Sequence, residues 1–112
     1  MAAAADPMMV ADTEKRLRSH KGVLGLMVIN NDGVPIRSTL EDDMTTQLAA
    51  LVSRYIDKCK SCTKKLREDD DLQLVRIRSA KHEIVIAPDY GDSSEQYTLA
   101  VVQDPTEGPS AM

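Results

Sequence analysis

"VLGLMVINNDGVPIRSTL", residues 23–40, holds an unbroken apolar run, a tight turn and an alternating run in succession. From Val23 to Ile29 no polar side chain interrupts, so a strand here has both of its faces covered. Asn30, Asn31, Asp32 and Gly33 supply the residue types of a short hairpin turn. After it, Val34 to Leu40 alternates apolar with polar, with Pro35 near its start, where a strand tolerates the missing N–H. The stretch therefore predicts a hairpin whose first strand is buried on both faces. A hairpin alone does not bury enough apolar surface to stand in water, so further layers must follow.

Downstream the period changes. From Glu41 to Leu66, Met44, Leu48, Leu51, Val52, Tyr55, Ile56, Cys59, Cys62 and Leu66 recur at intervals of three and four, which predicts a long amphipathic helix. Asp42 and Asp43 suit its positive end, and Lys58, Lys60, Lys64, Lys65 and Arg67 its negative end. "EDDD" at 68–71 ends it, and three strand-like runs follow: "LQLVRIR" (72–78), "HEIVIAP" (82–88) and "QYTLAVVQ" (96–103). The first two are separated only by "SAKH", a second hairpin. Upstream, "MVADTEKRLRSHKG" (9–22) reads as a short helix with Asp12 or Thr13 as N-cap and Gly22 as stop. The expected domain runs over 12–105, with flexible tails at 1–11 and 106–112. The expected fold class is α/β in the α+β sense: one five-stranded antiparallel sheet sandwiched by helices.

Composition narrows the function. The chain has 112 residues, 42% hydrophobic and 29% charged, with a formal charge of −4. That is one domain's worth of an ordinary globular sequence. Its aromatics are Tyr55, Tyr90 and Tyr97 alone. A net negative chain with so little to stack on bases is a poor nucleic-acid binder. No stretch has the make-up of a signal peptide or a membrane span, so the expectation is a protein of the cytosolic compartment with no membrane partner.

Motifs that would carry chemistry weaken when weighed. Cys59 and Cys62 form a C-x-x-C, but the helical phase expected above puts them deep in a helix and inward, beside Tyr55 and Leu66, as small apolar side chains. Zinc would need two more ligands, and His20 and His82 stand isolated in sequence. Gly22, Gly25 and Gly33 make neither a dinucleotide fingerprint nor a phosphate loop. Ser38 and Thr39 have no nucleophile elbow around them. The lysines of 58–65 fit a solvated helix face. The reading is a non-enzyme with no cofactor, no metal and no catalytic residue. What remains is the strand 72–78, read as an edge with Leu72 and Leu74 on one face and Val75 and Ile77 on the other. An edge apolar on both faces points to pairing with another chain.

Two blocks of this chain together resemble the roadblock-type light chains of dynein. One is "KGVLGLMVINNDGVPIRST", through Gly22, Gly25, Val28, Asn30, Gly33, Pro35, Ile36, Ser38 and Thr39; the other is "LVRIRSAKHEIVIAPD", through Arg76, Ile77, Arg78, Ser79, Lys81, Glu83, Ile84, Ala87, Pro88 and Asp89. The likeness covers roughly residues 12–105. It implies a profilin-like sandwich whose third strand pairs with that of a second copy, or of a sister light chain, into a ten-stranded sheet, with the long helices meeting across the two-fold. It also implies a non-catalytic subunit that binds dynein intermediate chains, in the cytoplasm and cytoskeleton or in a ciliary axoneme. An alternative within the same architecture is a scaffold or regulator of a small GTPase. Carried onto this chain, the dimer strand is Leu72, Leu74, Val75, Arg76, Ile77 and Arg78, supported by Ala49, Ala50, Ser53 and Asp57 as small or polar positions outside the sheet-facing stripe. The partner surface is Glu14, Leu17 and Arg18. The connection "YGDSSEQY" (90–97) departs from the family in being longer and more acidic.

Overall fold

The computed structural model describes residues 15–16, 20–90 and 96–105. Five strands and one long helix follow in the order β1 (Val23–Ile29), β2 (Pro35–Ser38), α1 (Asp42–Leu66), β3 (Val75–Arg78), β4 (Glu83–Tyr90) and β5 (Tyr97–Gln103). The strands form a single sheet in the order β2-β1-β5-β4-β3, with antiparallel neighbours throughout. The five-stranded antiparallel sheet expected from the sequence is therefore the fold. Of the expected first helix, Lys15 and Arg16 are helical. Its cap at Asp12 or Thr13, the proposed contacts Glu14, Leu17 and Arg18, both tails and most of the 90–97 connection lie outside the described residues.

The apolar run of β1 behaves as its composition requires: Leu26, Met27, Val28 and Ile29 are all buried. Alternate members serve opposite faces. Met27 and Ile29 join Ile86 and Ala100 beneath Ala49, Val52 and Ile56 of α1. Leu26 and Val28 join Leu99 and Val101 on the other face. The turn after β1 is held by Asn30, whose carboxamide oxygen accepts hydrogen bonds from the N–H of Asp32 and of Val34 at 2.9 and 3.0 Å. Gly33 closes it at φ +81, a left-handed conformation that a Cβ would strain.

Helix α1 is anchored at both ends. Ser38 Oγ and Thr45 Oγ1 share a hydrogen bond of 2.7 Å, and Thr45 also donates to the Leu40 carbonyl, fastening the first turn to the end of β2. Asp42 and Asp43 occupy the first turn and Lys64 and Lys65 the last, each sign opposing the helix dipole. The acidic connection is drawn back by ion pairs Lys64–Asp71 and Arg67–Asp69, both 2.9 Å.

Two expectations need correction. The third strand is Val75–Arg78 rather than 72–78. Because residues 72–74 lie ahead of the ladder, strict alternation does not govern them. Leu72 packs on the same core as Val75 and Ile77, and Leu74 is half exposed. The helix is also turned from its expected phase. Its buried residues are Thr45, Ala49, Val52 and Ile56, whereas Met44, Leu51, Tyr55 and Leu66 are exposed. Cys59 is half-buried and Cys62 exposed. Small side chains at Thr45 and Ala49 let the helix lie close on the sheet, and that contact sets the rotation.

Candidate interaction surface

Both edges of the sheet, β2 and β3, are open among the described residues. They differ in chemistry. Pro35 lacks a donor, and β2 is flanked by a shallow groove lined by Ile36, Arg37, Leu40 and Thr46. The outward backbone groups of β3 have no such interruption, since Val75, Arg76, Ile77 and Arg78 pair on one side only, with Ile86, Val85, Ile84 and Glu83 of β4.

The flanks of α1 tell which edge carries the apolar surface. Ser53 lies toward the β1–β2 turn, where its Oγ would stand 2.8 Å from a Cβ built on Gly33. Thr46, on the same flank, lines the groove beside β2. The opposite flank therefore lies toward β3. It carries Met44, Leu51 and Tyr55, exposed by 46, 42 and 44%, and then Cys62 and Leu66. Between this flank and the sheet, Leu48 packs on the core together with Leu72 and Val75. Leu74 adds a further half-exposed apolar side chain just ahead of β3. An open strand edge and an apolar helix flank thus lie on the same side of the fold, and water covers both poorly.

Against that geometry, the sequence-derived seam residues divide. Val75, Arg76, Ile77 and Arg78 form the edge strand itself. Leu72 faces the core and Leu74 stands at the surface. Among the helix positions, Ala49 is buried against the sheet rather than outside the stripe. Ser53 faces the β2 side, and Ala50 and Asp57 are exposed. Met44, Leu51 and Tyr55, which the helical period assigned to the sheet, are exposed instead. Their signal was present: apolar positions spread over nearly half the helix circumference, more than one sheet contact uses.

The far face of β3 holds the other notable cluster. Glu83 is buried, its side chain only 4% exposed. Its carboxylate accepts hydrogen bonds from Arg76 Nη2 at 2.9 Å and Nε at 3.2 Å, and from Gln103 Nε2 at 2.7 Å. The Gln103 bond, followed by the bonds and charge of Arg76 and the charge of Arg78, holds the Glu83 pKa below its ordinary value against the opposing effect of burial. This arrangement clamps β3 onto β4 and β5. Arg78 instead donates to the Pro105 carbonyl at 3.1 Å. Among the described residues no three His, Cys, Asp or Glu side chains come together as a metal-binding set, and no helix is long and apolar enough to cross a membrane.

Comparison with solved structures gives the fold relatives. A Roadblock/LC7 domain from Streptomyces avermitilis superposes with a TM-score of 0.71 at 17% identity, over 83% of this chain and 76% of that one. MglB from Myxococcus xanthus matches with the same score at 17% identity, over 92% and 82%. The gliding protein MglB from Thermus thermophilus matches with a TM-score of 0.71 at 14% identity, over 89% and 74%. The family model of the Roadblock/LC7 domain matches residues 9–103, nearly the whole length. The chain belongs to the Roadblock/LC7 domain family.

Proposed function

We propose that this protein is a non-catalytic adaptor that works as a dimer and presents its joined sheet to a protein partner. The observation that carries this reading is the pairing of an open β3 edge with the exposed flank of Met44, Leu51 and Tyr55 on α1. A second copy set antiparallel along β3 would satisfy the outward backbone groups and cover both flanks at once. The same surface would accept the edge of a sister roadblock chain.

Two partner classes follow from different supports. The solved relatives named above include gliding proteins and a bacterial roadblock domain, and at the level of fold they favour a scaffold or regulator of a small GTPase. The two hairpin blocks of the sequence favour the intermediate chains of a dynein motor, with the dimer helping to assemble the motor's cargo-attachment or docking base in the cytoplasm or the axoneme. Affinity purification of the native protein, followed by mass spectrometry, separates them. Intermediate and heavy chains in stoichiometric amount support the dynein adaptor. Small GTPases without dynein chains support the regulator and reject the adaptor. Sedimentation velocity tests the shared claim: a monomer at micromolar concentration would reject the dimer.

A further inference from the structure

We propose that joining two β3 edges builds a four-arginine cluster, Arg76 and Arg78 from each copy, on the sheet face away from α1, and that its ligand is a short acidic peptide segment. The inference rests on the dimer reading above and adds the chemistry of the segment that the dimer holds.

The placement follows from the symmetry of strands. Val75 and Ile77 pack toward α1. Arg76 and Arg78 point to the opposite face, where Arg78 lies opposite Glu83 and Arg76 bonds to it. When two identical edges pair antiparallel, the two-fold axis stands perpendicular to the sheet, and residues directly opposite one another share a face. Arginines can then meet only positions of their own face. Two registers pair the most residues of β3. Centred on Arg76, that residue faces its own copy. Centred on Ile77, Arg76 faces Arg78 twice. Either way the four guanidinium groups gather on one face, with opposed Cα atoms about 4.5–5.5 Å apart. A parallel pairing would send the two α1 flanks to opposite sides and leave both uncovered.

Within the cluster the charges do not cancel. Each copy brings one buried carboxylate, Glu83, already engaged by Arg76 and Gln103. The partner of Arg78 among the described residues is a neutral carbonyl, that of Pro105. Four guanidinium groups thus share two carboxylates, and Arg78 of each copy makes no hydrogen bond to either among the described residues. Such planar forks bind carboxylates with paired hydrogen bonds. The patch is short and has no stacking aromatic on β3, whereas nucleic acid rewards long basic tracks and exposed rings. A peptide carrying a few carboxylates fits it better.

The test uses the full-length protein and a fluorescein-labelled hexaglutamate peptide, with anisotropy read at low and high salt and sedimentation velocity run on the same samples. The expected result is saturable binding to the dimer that weakens as salt rises. Arg78→Gln should cut the affinity roughly 10-fold or more, the scale of a lost charge-assisted contact, while the dimer persists. Lys58→Gln, an exposed helix position, should leave affinity unchanged. An Arg78→Gln dimer that binds the peptide as well as the native one overturns the inference and spares the dimer reading. Tighter binding of an oligothymidine than of the peptide also overturns it, in favour of a nucleic-acid site. A native protein that sediments as a monomer removes the dimer reading and the cluster with it.

Discussion

Leu51→Ala is the substitution that most directly separates a seam along the exposed flank of α1 from the one the sequence predicts. Leu51 stands on the β3-facing flank of α1 with 42% of its surface still exposed. Complete burial of a leucine is worth about 1.5–3 kcal/mol, so covering the exposed remainder contributes about 1 kcal/mol per copy. A two-fold seam counts the residue twice. Removing it should therefore weaken dimerisation by about 2 kcal/mol, roughly a 30-fold rise in Kd. The monomer itself should change little, since the side chain is not part of the buried core. A dilution series in the analytical ultracentrifuge reads the Kd, and the urea midpoint of the dilute monomer reads the fold. Asp57→Asn, on another side of the same helix, is the matched control and should leave the Kd unchanged. Should Asp57→Asn dissociate the dimer while Leu51→Ala does not, the helices meet through the other flank and the reasoning from exposure fails.

Other consequences follow from single sites. Glu83 is an acid whose folded pKa is depressed. Its stabilisation is thus fully present above the unfolded carboxylate value of about 4.3, and is lost as pH falls through the lower folded value. Glu83→Gln should lower the urea midpoint at pH 7 and converge on the native curve at the acid end; a gap that does not depend on pH would assign the loss to packing instead. Gly33→Ala forces a side chain into a left-handed turn and against Ser53. It should cost about 1–2 kcal/mol, read as a drop of several degrees in Tm, with Gly33→Asn milder. Cys62→Ser should shift stability by less than about 0.5 kcal/mol, as surface changes do, and Cys62 should be the faster of the two thiols toward a disulfide reagent in the dilute, unpaired chain.

The parts of the fold that the sequence displayed are those where local pattern and tertiary environment agree. An apolar run with no polar break, Val23–Ile29, is a central strand because only a central strand is covered on both faces. Asn30 to Gly33 turned the chain through their own side-chain and backbone chemistry. The helix from 42 to 66 needed only its period and its terminal charges. Its rotation was another matter. Period alone locates an apolar sector, and here that sector holds two surfaces: Val52 and Ile56 against the sheet, and Leu51 and Tyr55 beside the open edge. Alanine and threonine at 49 and 45 sit in the sheet contact, and their modest hydrophobicity drew the expected centre of the stripe away from it. The C-x-x-C was misplaced for the same reason. The clamping role of Glu83 was not legible because a lone acid in "HEIVIAP" acquires it only through Arg76 and Gln103, which come from strands on either side of it.

The position of β5 bears on how the protein is made. Two hairpins, β1–β2 and β3–β4, are complete in sequence before the strand that lies between them in the sheet is synthesised. Until Tyr97–Gln103 arrives, β1 and β4 each offer a bare inner edge rich in valine and isoleucine to any neighbour on the polysome. Nascent chains caught at that point resemble aggregation-prone intermediates more than a half-built domain. A stop codon at Gln96 would be far more damaging than its modest loss of length suggests, and cellular yield should respond to chaperones that hold extended segments until translation has passed that strand.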